Sequence, residues 1–320
     1  MAAECHFDST DIILFIFKII FYCILWTVTG ICLYFLATDR SFRKRVSNVI
    51  ITNLLVSDSL SALLASIHRA YLLNCEIKPY VECTIITFFT RTFGYTSMAF
   101  LVLLNVDRYL KISKNLHEYA IIMNKKRLSI SIAAIWVGFV FFSIVTTPYW
   151  IYLSIPRYRN STVPVCVYSN SMEPLVSFIT LFFSQFLSMI AMVVINVHLM
   201  VKLRKIMKEA NKTIGITKEQ AEKNQRMIKN VEINVFIMSF LLTALNLVVF
   251  GLTVMDLIEF SNDLNLIKIK IPDSVFKIFA ILISLYPFCE AMVCFTMNED
   301  IMGRMKRLFL KQEPEIYTIK

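Results

Sequence analysis

Charge, glycine and proline are scarce in this chain of 320 residues. Asp, Glu, Lys and Arg make up 18% of it, where a soluble domain averages about a quarter. Six glycines and eight prolines exclude a collagen-like or linker-type low-complexity chain. Only four histidines occur, His6, His68, His117 and His198, and none has a partner at metal-ligand spacing. The cysteines form no Cys-x-x-Cys pair, so no metal centre is expected. Neither Gly-x-Ser-x-Gly nor His-Glu-x-x-His occurs, which argues against an enzyme and calls for no cofactor. No internal repeat of the transporter kind is visible. Asp58, Lys18 and Glu290 read as too few and too scattered to map a transport path.

What fills the chain is apolar: 57% of the residues are hydrophobic, and they are grouped in blocks. A helix needs about 20 mostly apolar residues to cross a bilayer core. Seven blocks meet that length, at about 12–37, 47–71, 84–108, 128–150, 175–201, 232–257 and 275–296. Val and Ile are common in them, but backbone groups in hydrocarbon must be satisfied within their own segment, so helices are expected. The fold class predicted is an all-α membrane protein, a seven-transmembrane helix bundle. The expected organisation is a short N-terminus over 1–11, a bundle over 12–296, and a tail over 297–320. Residues 1–11 hold no basic residue and the first block is too long for a signal peptide core, so that block reads as an uncleaved anchor.

Lys and Arg orient the chain. Most of the 33 fall around Arg40–Arg45, between Lys111 and Arg127, between Lys202 and Lys229, and in the tail. Arg69, Lys78, Arg157, Arg159, Lys268 and Lys270 fall on the other side. The richer side is cytosolic by the positive-inside bias, which puts the N-terminus outside a multi-pass protein of the plasma membrane. The net charge of +10 then reflects topology and membrane lipid as a partner; nucleic-acid binding is a poor reading, since the basic residues flank spans. Cys5, Cys75, Cys83 and Cys166 fall outside, where disulfides persist, and four cysteines allow three pairings. Cys23, Cys32, Cys289 and Cys294 lie in spans and read as buried thiols.

"LNVDRYL" closes the third block, with Asp107, Arg108 and Tyr109 where it meets the cytosol. An arginine there should lie at the water boundary or be paired, and Asp107 can supply the pairing. "NLLVSDSL" sets Asp58 deep in the second block, "AIWVGF" sets Trp136 in the fourth, and Cys83 and Cys166 flank the outer side. Together these residues resemble the rhodopsin-like G-protein-coupled receptors over roughly 12–311. The resemblance implies a small extracellular ligand and a heterotrimeric G protein as partners. It implies that Asp107, Arg108 and Tyr109 serve G-protein coupling, that Asp58 occupies the sodium-linked aspartate's place, and that Cys83 and Cys166 are bridged. The position of Asp58 also suits a hydrogen-bonded structural carboxylate.

Departures from the pattern are several. Ile31 replaces the asparagine after the glycine in span one. Span five has no proline, span six has neither Trp nor Pro, and "YPFCEAMVCF" puts Glu290, Ala291 and Cys294 at the places of the N-P-x-x-Y motif. These losses bear on the sodium site and on the kink that lets helix six pivot. The chain length, "DRYLKISKNLHEYAIIMNKKR" and "FTMNEDI" are similar to vertebrate odorant receptors, while the short second outer loop is not. An orphan or non-signalling branch is the alternative.

The family's pocket implies contacts from His68, Thr90, Arg91, Gly94 and Tyr95, with Ser97 beside them, from Ser184 and Gln185 in span five, and from Lys277 in span seven. Thr90 stands where amine receptors carry an aspartate, which argues against an amine. Arg91 with nearby cations suits an acidic ligand; the alternative is snorkelling or pairing with Asp256 or Glu259. Asn160 heads an Asn-Ser-Thr glycosylation sequence in an outer loop. After span seven, Ile301, Met305, Leu308 and Phe309 lie near one face and Arg304, Lys306, Arg307 and Lys311 provide the charge, which suits a short amphipathic helix on the inner membrane surface. The segment from Lys202 to Lys229 reads as a helix-prone extension towards the G protein.

Overall fold

The computed structural model describes residues 9–73, 80–160, 186–213, 247, 251, 282, 285–292 and 301–305. Among them there is helix and no strand. In chain order the helices are α1 (Ser9–Thr38), α2 (Arg40–Lys44), α3 (Val46–Leu73), α4 (Tyr80–Ser113), α5 (Leu116–Ile122), α6 (Lys125–Asn160) and α7 (Leu187–Thr213). The sixth expected block lies outside the described residues but for positions 247 and 251. Of the seventh, residues 282 and 285–292 are described and helical.

Among the described residues, four segments are long and apolar enough to cross a membrane: Ile12–Thr38, Val46–Ile67, Lys125–Val145 and Leu187–Ile206. Helix α4, the third expected span, carries Thr92, Thr96, Ser97 and Asn105, all buried. It packs against α3, α6 and α7, and a helix enclosed by protein can hold hydroxyls that a lipid-facing helix cannot. Three of these groups turn back on their own helix: Thr92 Oγ1 donates to the Phe88 carbonyl, Thr96 Oγ1 to Thr92, and Asn105 Nδ2 to Leu101, which satisfies the polar group without water.

The helices on the outside show the opposite pattern. On α6, Ile130, Val137, Phe141 and Ile144 are exposed, as are Ile13, Ile16 and Ile20 on α1, as expected of surfaces whose solvent is acyl chain. Cys23 shares that exposure, which corrects the expectation of a buried thiol: its position on α1 points outward, while Cys32 points inward and is fully buried. Cys289 is half-buried, and Cys294 lies outside the described residues.

Polar bridges set the packing angles. Ser57 Oγ donates to the Phe93 carbonyl at 2.6 Å and Ser61 Oγ to the Thr90 carbonyl at 3.1 Å, tying α3 to α4. Trp136 Nε1 of α6 donates to Asn53 Oδ1 of α3 at 3.1 Å. Thr92 and Ser143 share a hydrogen bond of 2.5 Å between α4 and α6.

The segments at the expected cytosolic side are more helical than their polarity suggests. Asp39 caps α2 by accepting from the amides of Ser41 and Phe42. Asn115 caps α5 by accepting from the Glu118 backbone amide at 2.8 Å, and its side-chain Nδ2 donates to Glu118 Oε1 at 3.1 Å, which holds the cap in place. Good caps make helices this short possible, and a reading based on hydropathy cannot register them. Helix α7 runs on to Thr213, in keeping with the helix-prone reading of the segment after Lys202; residues 214–229 lie outside the described residues. Asn160 lies in helix α6, where the sequence reading expects a loop.

Candidate functional site

Asp107 is fully buried at the end of α4, and three donors converge on it. Ser47 Oγ, from the start of α3, donates to Oδ2 at 2.8 Å, and Lys111 Nζ, one turn on, donates to the same oxygen at 2.7 Å. Tyr119 OH, from α5, donates to Oδ1 at 2.7 Å. Lys111 also donates to Ser47 Oγ. One carboxylate thus joins three helices. Burial, then the hydrogen bond and charge of Asp107, raise the Tyr119 phenol above its ordinary value of 10.0.

The two residues that follow are placed differently. Arg108 is half-buried. Tyr109 packs with Ile112 and Met200 against the buried Leu199 and Leu203 of α7, so the third residue of the motif serves the α4–α7 contact.

A second polar centre lies mid-bundle. Asp58 on α3 and Glu290 in the 285–292 helix are both fully buried. Ser97 on α4 donates to Glu290 Oε1 at 3.0 Å and lies beside Asp58. Asp58 Oδ2 and Glu290 Oε2 have no hydrogen-bond partner among the described residues. Beside them Tyr286 OH donates to Met98 Sδ at 3.1 Å. This corrects two expectations. Asp58 and Glu290 are not scattered: the packing of three helices brings them to one serine. Ser97 belongs to this centre and not to an outer pocket. Two carboxylates with one hydroxyl between them form an anionic centre that can hold a cation or a proton.

The outer residues are brought together only in part. Thr90 is half-buried with its hydroxyl turned to the Ile86 carbonyl, and Gly94 is half-buried. Tyr95 is buried, its ring 6.5 Å from that of Phe139 on α6. His68 and Arg91 lie on α3 and α4, but their side chains are outside the described residues. Ser184, Gln185 and Lys277 are outside them too, as is Cys166; Cys83 lies on α4.

A third cluster joins α2 to residues 301–305, which are helical. The Arg304 guanidinium donates to Asp39 Oδ2 and, at 2.9 Å, to Ser41 Oγ. It lies 5.4 Å from the Phe42 ring centroid. Ile301 is fully buried, and residues 306–311 of the expected amphipathic helix lie outside the described residues.

Among the residues that sequence reasoning left out, Lys111 had a visible signal, its i, i+4 spacing from Asp107. Ser47 and Tyr119 had none, because their partner lies on another helix.

A bundle of membrane-length helices around a polar central helix, with an Asp-Arg-Tyr sequence closing that helix, defines a multi-pass receptor-type membrane protein. The family model for the 7 transmembrane receptor (rhodopsin family) matches residues 15–289, and the chain belongs to that family. Among curated proteins no sequence matches it.

Proposed function

We propose that this receptor binds a small, odorant-like extracellular ligand and signals through a heterotrimeric G protein. Its N-terminus faces outside, 12–296 forms the bundle, and 297–320 forms a cytoplasmic amphipathic helix and tail. The observation that carries the proposal is the Asp107 cluster. A buried carboxylate fastens α3, α4 and α5 together, next to Arg108 and to the α7 contact of Tyr109. A partner that engages Arg108 would meet three helices at once, and a shift of α7 against α4 would be felt there.

In this reading Asp107, Arg108 and Tyr109 form the coupling site. The ligand meets His68, Thr90, Arg91, Gly94, Tyr95, Ser184, Gln185 and Lys277, with Arg91 favouring an acid. Asp58, with Glu290 and Ser97, forms the ion-sensitive centre. The Cys83–Cys166 bridge and a glycan on Asn160 complete the outer face. The absence of both Trp and Pro from 232–257 favours a second reading, a seven-helix receptor that binds ligand without driving a G protein.

The test is a G-protein dissociation assay in cells against acidic, amine and neutral odorant panels. We expect a response to an acid that is lost in Arg91→Ala, and loss of every response in Arg108→Ala. Ligand binding by surface-expressed protein with no dissociation would favour the second reading.

A further inference from the structure

Helix α2 gathers cations on one face. Arg40, Arg43 and Lys44 follow the i, i+3, i+4 spacing that sets side chains about 5–6 Å apart at Cβ, and all three are exposed. Phe42 points the other way and is fully buried, between the Phe35 ring and the Arg304 guanidinium. Asp39 caps the helix and is itself held by Arg304. The cations therefore stand on a ledge fixed from behind. The ledge lies at a membrane boundary, since α2 joins two segments long and apolar enough to cross, Ile12–Thr38 and Val46–Ile67.

Like charges at this spacing repel one another. Among the described residues no carboxylate pairs with Arg40, Arg43 or Lys44. The last turn of α2 favours Arg43 and Lys44, but their repulsion with Arg40 is relieved only by an anion outside. That anion needs several charges in one body, because separate single charges crowded onto so small a face would repel each other in turn. We infer that α2 binds the headgroup of a polyphosphorylated inositol lipid. The Arg40 and Arg43 forks suit bidentate contact with phosphate oxygens, and Lys44 adds a point charge. Clusters of Lys and Arg next to a membrane-crossing helix attract such headgroups from the cytoplasmic leaflet. The inference rests on the receptor reading only in taking α2 to face that leaflet.

The test uses the purified full-length chain in nanodiscs, which expose both faces, so orientation does not enter the result. Discs contain phosphatidylcholine with either a bisphosphorylated inositol lipid or phosphatidylserine at matched total charge. Lipid retained on the protein is read by native mass spectrometry. The expected result is preferential retention of the inositol lipid by the unaltered chain. In R40Q/R43Q/K44Q retention falls by about fivefold for each cation removed (about 1 kcal/mol each). The preference is unchanged in K114Q/K125Q/K126Q, which loses the same charge elsewhere. Equal retention of phosphatidylserine by the unaltered chain would show diffuse attraction and overturn the site. So would full retention by the α2 variant, or an equal loss in the control. The comparison of lipids on the unaltered chain needs no variant to fold. A negative outcome removes the lipid site and leaves the receptor reading standing, which epitope mapping and the dissociation assay test separately.

Discussion

Ser97 Oγ donates to Glu290 Oε1 at 3.0 Å, joining α4 to a helix nearly two hundred positions further along the chain. Asp58 lies beside the same serine, so two fully buried carboxyl groups meet at one hydroxyl that has a single proton to donate. Burying a carboxylate with an unsatisfied oxygen is costly, and a second one beside it adds repulsion.

Replacing Glu290 with Gln keeps an acceptor for Ser97 and removes one of the two acids. Glu290→Gln is expected to raise the thermal midpoint by a few degrees, and Asp58→Asn to do the same. The double variant should gain less than the sum, since either change relieves the same repulsion. Unfolding scans of the purified protein would check this; additive gains would mean the two acids do not interact.

At the other centre the expected sign is reversed. Asp107→Ala leaves Ser47, Lys111 and Tyr119 without their shared acceptor and should cost about 1–3 kcal/mol. Tyr119→Phe removes one donor and should cost about 1 kcal/mol. With Asp107 already changed to Ala, Tyr119→Phe should cost almost nothing more. A double-mutant cycle by thermal or denaturant unfolding measures the coupling.

Tyr119 also fixes a pH dependence. Its phenol is raised in the folded chain, first by burial and then by Asp107. The folded state therefore holds the proton more tightly than the unfolded state, and the stability this contributes is complete below pH 10 and lost as pH rises from there through the raised value. Alkaline titration of tyrosinate absorbance should give the same curve for the unaltered chain and Tyr119→Phe near pH 10. A difference there would show that Tyr119 ionises normally.

The Arg304 clamp depends on geometry as well as charge. One guanidinium reaches both Asp39 and Ser41 while lying over Phe42, and an ammonium cannot reproduce that fork. Arg304→Lys should therefore lose about as much stability as Arg304→Ala, on the order of 1 kcal/mol. Recovery of full stability by the lysine variant would show that charge alone matters.

Much of the bundle was legible in the sequence because apolar length is a one-dimensional signal. The blocks at 12–37, 47–71, 84–108 and 128–150 all fall inside helices. The polar residues of the third have a reason that only packing reveals: α4 is lined by α3, α6 and α7. Asp107 and Asp58 stood out as charges in oily surroundings. Their partners did not, because Ser47, Ser97 and Tyr119 are ordinary residues until the fold brings them to a carboxylate. Glu290 was visible and misread as isolated, and Cys23 as buried. Distance between helices and the direction in which a helix faces are not carried by a hydropathy profile.

Helix α7 has one mechanical consequence. Basic residues enter it at Lys202, Arg204, Lys205 and Lys208 while the helix continues to Thr213, so its last turns form a stiff polar stub. At about 1.5 Å per residue its 27 residues make a rod of about 40 Å. Pivoting at the far end, such a lever moves its tip by about 0.7 Å for each degree of tilt, so a slight lean too small to disturb the packing around Tyr109 would arrive at the tip as a displacement a docked protein could feel.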